Sequence, residues 1–190
     1  TNNSNPAPNR TYPNAGTFNA TITVATDFCV NETSASQSIT INDLPAVISG
    51  IIQDSVLCET DPSIALPDGN PSGGTWSGPG VSNGEFDPAV AGPSAGHQLT
   101  YSFTDNNGCT NTDNRIVQVL SLPNVSAPNL NDACEDDPSF SLPDGSPNGG
   151  LWSGTGVNGS GDFTPGTPGD YTLFYTFTDA QGCVNLDSTT

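Results

Sequence analysis

The sequence has almost no positive charge. Its 190 residues include no lysine and only two arginines, Arg10 and Arg115, against 20 acidic residues, so the net charge is −18. Two cations cannot form the basic patch that binds nucleic acid or an anionic membrane surface. We therefore expect no nucleic-acid partner. The absence of lysine also excludes Lys–Asn isopeptide cross-links.

Methionine and long apolar runs are missing as well. No stretch approaches the ~18 apolar residues of a membrane-spanning helix, so we expect no membrane insertion. Without an initiator methionine or a signal peptide, the sequence is typical of a mature or internal segment of a longer protein. Five cysteines at wide spacings, with no CxxC pair, favour an oxidising extracellular compartment over a zinc site.

Histidine occurs once, as His97, and this limits catalysis. A Ser-His-Asp triad would need that residue. The aligned position of the next repeat holds no histidine, so we expect His97 to be a surface loop residue. Paired carboxylates are abundant in so acidic a chain, and nothing else marks a cleft. The sequence therefore predicts that the protein is not an enzyme.

An internal repeat determines the organisation of the chain. CETDPSIALPDGNPSGGTWSGPGV (58–81) aligns without a gap with CEDDPSFSLPDGSPNGGLWSGTGV (134–157). YSFTDNNGC (101–109) aligns with YTFTDAQGC (175–183), and a partial earlier copy ends at Leu44-Pro45. We predict three modules: the C-terminal part of one (1–45), a complete second (46–122), and a third lacking its last strand (123–190). These ranges are called the first, second and third copies below.

Within each copy, apolar residues alternate with polar ones, as in half-buried strands. Leu99, Tyr101 and Phe103 are predicted to face inward in the second copy, and Tyr171, Leu173, Tyr175 and Phe177 in the third. Turn sequences such as Pro-Asp-Gly and Asn-Gly separate these runs. Short strands with frequent turns predict an all-β chain of tandem β-sandwich modules, extended by proline-containing joints.

The cysteines occupy equivalent places in the two later copies. We predict disulfides Cys58–Cys109 and Cys134–Cys183, each closing one module, with Cys29 pairing to a residue ahead of Thr1. Trp76 and Trp152 lie in equivalent Gly-Gly-x-Trp-Ser-Gly settings. They are predicted to pack in the core, and the alternative is a platform on which a sugar ring stacks.

The repeat also resembles a known family. Residues 11–45 resemble the second half of a PKD domain, an immunoglobulin-like sandwich. The later copies, with CxxDPSxxLPDG, GGxWSGxGV and YxFTDxxGC, resemble PKD-like repeats of large Bacteroidetes surface adhesins of the SprB-type, which serve gliding motility. The tyrosine-corner spacing of immunoglobulin domains is absent, because Tyr101 lies eight residues before Cys109.

This resemblance implies export by the type IX secretion machinery and display at the cell surface in a filament. An extracellular surface or polysaccharide would then be bound through other parts of the parent chain. The resemblance further implies O-glycosylation at Asp-(Ser/Thr)-x motifs, which would modify Ser55 and Ser188.

No cofactor is expected, with Ca²⁺ as the one candidate. Aspartates recur in turns, and oxygen ligands in turns suit this ion. No EF-hand spacing occurs, and Asp-Pro and Asp-Gly pairs are ordinary turn formers. The six aspartates concerned are Asp61, Asp68, Asp105, Asp137, Asp144 and Asp179.

The leading functional prediction is a stalk segment of a secreted surface adhesin or filament, acting in adhesion or gliding motility. One alternative is a non-catalytic spacer of a large secreted enzyme. Another is a carbohydrate-binding module, which would need an exposed Trp76 or Trp152.

Overall fold

The computed structural model describes residues 11–26, 29–53 and 55–190, and the side chains of 22–34 lie outside the description. Strands dominate these ranges, and the only helix described there is one turn, α1 (Pro88–Ala91). The all-β prediction is confirmed. The strands are β1 (Gly16–Thr26), β2 (Cys29–Ile41), β3 (Val56–Cys58), β4 (Ile64–Ala65), β5 (Thr75–Ser77), β6 (Val81–Ser82), β7 (Glu85–Phe86), β8 (Ser94–Thr104), β9 (Thr110–Leu120), β10 (Phe140–Ser141), β11 (Leu151–Gly154), β12 (Asp162–Phe163), β13 (Leu173–Thr178) and β14 (Val184–Thr189).

The strands form several small sheets. β1 and β2 make a two-stranded antiparallel hairpin, in which Gly16 lies opposite Ile41. The second copy holds a four-stranded sheet of order β3-β9-β8-β5 and a three-stranded sheet of order β4-β7-β6. The third copy holds β11-β13-β14 and the pair β10-β12. The finer prediction of immunoglobulin-like sandwiches in tandem stays a prediction.

The chain divides into two compact units. The first contains the described residues up to Gly50 together with Asp68–Thr75 and Tyr101–Asp113. The second contains Ile51–Pro67, Trp76–Thr100 and Asn114–Thr190. Residues of the second copy occur in both units, so the predicted boundaries at 45 and 122 stay a prediction.

Alternation along the strands builds the core of the second unit. In β8, His97 and Leu99 are buried while Gln98 between them is exposed. In β9, Val117 and Val119 are buried on either side of half-buried Gln118. These side chains join a buried apolar cluster of Ile52, Leu57, Phe86, Leu99, Val117 and Val119. Removing such side chains from water is the main term that stabilises this unit.

Candidate functional site at the joint between two copies

A disulfide joins the second copy to the third. Cys58 is the last residue of β3, and Cys183 directly precedes β14. Their sulfurs are bonded, with the Cα atoms 5.5 Å apart and a sequence separation of 125. Closing so long a loop restricts the unfolded chain and contributes about 5 kcal/mol in the chain-entropy treatment. The bridge therefore fastens one copy to the next.

The predicted pair Cys58–Cys109 is wrong, and strand register gives the reason. β3 runs parallel to β9, which places Cys58 opposite Leu120, the last residue of β9. Cys109 directly precedes the first residue of β9, Thr110. Eleven residues of extended strand span about 36 Å. A disulfide needs Cα atoms about 4.4–6.8 Å apart, so these two cysteines cannot meet within one copy.

The predicted pair Cys134–Cys183 is also wrong, because Cys183 is bonded to Cys58. Cys134 is exposed and Cys109 half-buried, and neither takes part in a disulfide within the described part of the chain. The prediction for Cys29 concerns a side chain that the structure does not describe. Among the four predicted bridging cysteines, the structure thus bonds two, and in a different pairing.

Hydrogen bonds to backbone groups lie on both sides of the disulfide. The Glu59 N–H donates to the carbonyl oxygen of Leu120 at 3.0 Å. Asn185 Nδ2 donates to the carbonyl oxygen of Pro123 at 2.9 Å, and the Ala127 N–H donates to Asp187 Oδ2 at 2.9 Å. The first residues of the third copy are therefore tied to β14, directly after the disulfide.

The same ties occur at the boundary between the first and second copies. Asn111 Nδ2 donates to the carbonyl oxygen of Pro45 at 2.8 Å. The Ser49 N–H and hydroxyl donate to Asp113 Oδ2 at 2.9 and 2.7 Å, and Ser49 is fully buried. These Asn-x-Asp pairs were not predicted from the sequence. Their signal is the same spacing after the second cysteine of each copy, Asn-Thr-Asp at 111–113 and Asn-Leu-Asp at 185–187.

Two backbone N–H groups at the joint lower the pKa of the Asp187 carboxyl. The backbone N–H groups of Ala127 and Ser188 hydrogen-bond to Asp187 and lower the pKa of its carboxyl below the ordinary value of 3.8. Bonds from N–H donors stabilise the charged form of a carboxylate. Asp187 is therefore an anion at neutral pH that holds the start of the third copy.

The hairpin turn that carries the second cysteine is built by an aspartate. Asp105 Oδ1 accepts from the N–H groups of Asn107 at 2.8 Å and Cys109 at 2.9 Å. In the third copy, Asp179 Oδ1 accepts from Gln181 and Cys183, both at 2.9 Å. Aspartate commonly closes turns in this way. The turn thus fixes the backbone of Cys183 where the disulfide forms.

A buried tyrosine organises the hairpin end of each copy. The Tyr101 hydroxyl donates to the carbonyl oxygen of Pro71 at 2.8 Å and accepts from the Gly74 N–H at 2.8 Å. Tyr175 repeats this with Pro147 at 2.8 Å and Gly150 at 2.7 Å. A Cβ atom at Gly69 or at Gly145 would overlap the corresponding ring. The Pro-Asp-Gly…Gly-Gly loop is therefore shaped around the tyrosine.

The two tryptophans serve the same loop and are half-buried. Trp76 Nε1 donates to the carbonyl oxygen of Pro67 at 2.8 Å, and Trp152 Nε1 to that of Pro143 at 2.9 Å. Trp76 packs against the apolar cluster of the second unit, and the Trp152 ring centroid lies 5.2 Å from that of Tyr175. These contacts support the prediction of structural tryptophans over that of a sugar platform.

His97 differs from its prediction as a surface loop residue. It lies in β8, is only 9% exposed, and has its ring centroid 6.1 Å from that of Phe86. Its Nε2 lies 2.8 Å from the carbonyl oxygen of Gly92, which can only accept, so this nitrogen donates. The alternation of β8 brings the ring inward, which a strand assignment beginning at Ser94 would have indicated.

Most of the candidate calcium ligands accept hydrogen bonds from backbone N–H groups. Asp61 Oδ2 accepts from the Cys58 N–H at 2.7 Å, and Asp137 Oδ2 from the Cys134 N–H at 2.7 Å. Asp105 and Asp179 close the hairpin turns described above. Cys134, Asp136 and Asp137 bring one ligand atom each within 4.8 Å of one another, but all three are exposed. The expectation of no cofactor, with Ca²⁺ as the one candidate, stays a prediction.

The two predicted glycosylation sites are both exposed. Ser55 directly precedes β3, and Ser188 lies in β14. Asp54 of the first motif lies outside the described residues, and Asp187 of the second holds the start of the third copy. Modification of these serines stays a prediction.

A cavity of about 500 Å³ opens in the third copy. Its lining includes Cys134, Phe140, Phe163, Leu173 and Thr190. In the second copy, Val117 and Val119 of β9 pack in the corresponding core. The residues that line the cavity show nothing that points to a ligand, so it is not by itself a ligand site.

Comparisons with known proteins leave the family open. No protein-family model matches the chain, and no curated protein matches it. A solved Ca²⁺-stabilised adhesin, which helps an Antarctic bacterium reach out and bind ice, is 16% identical, with a TM-score of 0.39. That match covers 91% of this chain and 55% of the adhesin chain, so this chain spans about half of it. So low a similarity carries no argument about fold or function, and the resemblance to PKD-like repeats stays a hypothesis.

Proposed function

We propose that the chain is a load-bearing segment of an extracellular stalk. The stalk would hold the binding part of a bacterial surface adhesin or gliding filament away from the cell. In its finer form, the proposal takes the copies as immunoglobulin-like modules in tandem. The disulfide Cys58–Cys183 carries the proposal, because it joins consecutive copies of a repeat.

The position of the disulfide suits a chain under tension. A force pulling on the two ends passes through the sulfur–sulfur bond and bypasses the residues between Cys58 and Cys183. An extended chain spans about 3.5 Å per residue, so the bridge keeps about 440 Å of polypeptide from being drawn out. A disulfide within one copy would not protect the joint.

The charge of the chain supports an extended arrangement. With a net charge of −18 and no lysine, every copy repels its neighbours at separations below the Debye length of roughly 8 Å. Collapse of neighbouring copies onto each other would bring these charges together at a free-energy cost. An acidic surface also keeps an exported repeat protein soluble.

We propose that the segment acts without catalysis and without a resident cofactor. Its single histidine, His97, is buried against Phe86 and hydrogen-bonded to backbone. The indole N–H groups of both tryptophans donate to backbone carbonyls, which supports a structural role rather than sugar binding. Four of the six turn aspartates, Asp61, Asp105, Asp137 and Asp179, accept backbone hydrogen bonds, so we expect chelation by EDTA to leave the melting temperature unchanged.

Single-molecule pulling tests the load-bearing role. The chain is stretched between its ends under oxidising conditions and again with a reductant. We expect the fully extended length to increase by about 440 Å when the bridge is reduced. Cys109→Ser is the matched control, because it removes a thiol outside the bridge. Equal extended lengths with and without reductant would overturn the proposal.

Antibody labelling tests the place of action and separates the stalk from an enzyme spacer. Antibodies raised against this chain should label intact, unpermeabilised cells along surface filaments. Recovery of the parent protein from the medium, together with a hydrolase activity on the same polypeptide, would instead favour a spacer of a secreted enzyme.

A further inference from the structure

The first cysteines of the second and third copies make the same two local hydrogen bonds. In the second copy, the Cys58 N–H donates to Asp61 Oδ2 at 2.7 Å, and the Asp61 N–H donates back to the Cys58 carbonyl at 3.0 Å. In the third copy, Cys134 and Asp137 form the same two bonds at 2.7 and 3.0 Å. We call these two residues the turn cysteines. One is disulfide-bonded and the other is not.

The second cysteines also match each other. The Cys109 N–H donates to Asp105 Oδ1 at 2.9 Å, and the Asp105 N–H donates to the Cys109 carbonyl at 3.0 Å. Cys183 and Asp179 repeat both bonds at 2.9 and 3.0 Å. We call these two residues the hairpin cysteines. Again one is bonded and the other is not.

The observed bridge defines a direction. It runs from the turn cysteine of one copy, Cys58, to the hairpin cysteine of the following copy, Cys183. Each hairpin cysteine lies two residues before the asparagine that donates to the proline at the boundary with the preceding copy, Pro45 or Pro123. A hairpin cysteine is therefore placed at the joint with the preceding copy. Within the part of the chain that the structure describes, Cys109 has this placement without a bonded partner, and Cys134 is the turn cysteine without one.

We propose that Cys134 and Cys109 are the two halves of further bridges of the same kind. Cys134 bonds the hairpin cysteine of another copy of this repeat, and Cys109 bonds the turn cysteine of another copy. Consecutive copies are then linked covalently, and each disulfide joins the turn cysteine of one copy to the hairpin cysteine of the following copy. This pairing goes beyond the proposed function and does not depend on which binding part the stalk carries.

Formation of each bridge needs a two-electron oxidant, which is a small-molecule disulfide such as oxidised glutathione. The Cys134 thiolate attacks one sulfur of that disulfide and releases one glutathione thiolate. The hairpin thiolate of the other copy then attacks the Cys134 sulfur and releases the second glutathione thiolate. Two protein thiols become one disulfide, one small disulfide becomes two thiols, and the two protons pass to the released thiolates.

Complementary variants of the full chain test the proposal. All carry Cys29→Ser, since Cys29 aligns with the hairpin cysteines. With Cys134→Ser added, the unbonded cysteine that remains is the hairpin cysteine Cys109. With Cys109→Ser added, it is the turn cysteine Cys134. The two variants are incubated with oxidised and reduced glutathione, separately and as an equimolar mixture. Non-reducing electrophoresis and peptide mapping give the readout.

We expect a covalent dimer in the mixture alone, at twice the 19.4 kDa of one chain, joined through Cys109 and Cys134. Each variant by itself should remain a monomer. The Cys58–Cys183 peptide serves as the check of folding in every sample. Dimers of either variant alone, a Cys109–Cys134 bond within one molecule, or no dimer in the mixture would each overturn the proposal.

Discussion

The second and third copies of the repeat are alike at one end and different at the other. At the hairpin end, the tyrosine, the loop glycines, the turn aspartate and the Asn-x-Asp pair make equivalent bonds to backbone groups in both copies. At the opposite end, the second copy closes a core with Val117 and Val119, whereas the third has a cavity of about 500 Å³. Phe140 is 39% exposed there, and its aligned residue Ile64 packs against the core.

The two ends of the repeat are stabilised by different kinds of interaction. The hairpin end is held by directional hydrogen bonds between backbone and a few polar side chains. The opposite end depends on apolar packing across long sequence separations, from Leu57 to Val119 and along the parallel pair β3–β9. Val56–Cys58 is a strand because β9 pairs with it, while the aligned residues 132–134 form no strand.

The largest expected effect comes from removing the bridge that links the two copies. The double variant Cys58→Ser/Cys183→Ser should lose up to about 5 kcal/mol of unfolding free energy, because the unfolded chain regains loop entropy. Urea unfolding is followed by Trp76 fluorescence in a Trp152→Phe background, and by Trp152 in a Trp76→Phe background. Both probes should move to lower urea.

The control for this prediction is Cys134→Ser, which removes an exposed thiol outside the bridge and should leave both midpoints in place. If only one tryptophan responds in the double variant, the bridge stabilises one copy and not the pair.

The disulfide also marks the limit of prediction from sequence. The repeat showed which cysteines are equivalent, but equivalence does not indicate which of them meet. That depends on the parallel register of β3 against β9, which puts Cys58 and Cys109 at opposite ends of one strand. Alternation correctly predicted inward-facing Leu99, Tyr101, Leu173 and Tyr175, because a two-residue period is local information. His97 was misplaced because its strand begins earlier than the apolar run indicates.

The next effect concerns the core end of each copy. Phe86→Ala should cost about 3–5 kcal/mol, since the ring is fully buried and its removal leaves a cavity. Phe163→Ala should cost less, because Phe163 already borders open space. The two are compared by urea unfolding, each with the tryptophan probe of its own copy. Equal losses would mean that the third copy packs its phenylalanine as tightly as the second.

A smaller effect is expected at the hairpin end, where the copies are alike. Tyr101→Phe and Tyr175→Phe keep the ring and remove the hydroxyl that bonds two backbone groups. Each should cost about 1–3 kcal/mol, the usual loss when buried partners are left unpaired. The two losses, measured by urea unfolding, should agree. A loss confined to one copy would contradict the equivalence of the two ends.

The smallest effect is the pH dependence that Asp187 gives to the start of the third copy. Its pKa in the folded protein is lowered below 3.8 by the N–H groups of Ala127 and Ser188. Because the folded state holds the proton less tightly than the unfolded state, this carboxylate stabilises the fold fully above the unfolded-state pKa. The contribution is lost as the pH falls through the lower, folded-state pKa.

Asp187→Asn keeps an oxygen acceptor for Ala127 but cannot titrate. The difference in urea midpoint between the native chain and Asp187→Asn should therefore shrink as the pH is lowered below 3.8. Carboxyl ¹³C NMR of the native chain should show Asp187 titrating below that value, and a midpoint difference that is the same at every pH would show that the charge of Asp187 contributes nothing to the joint.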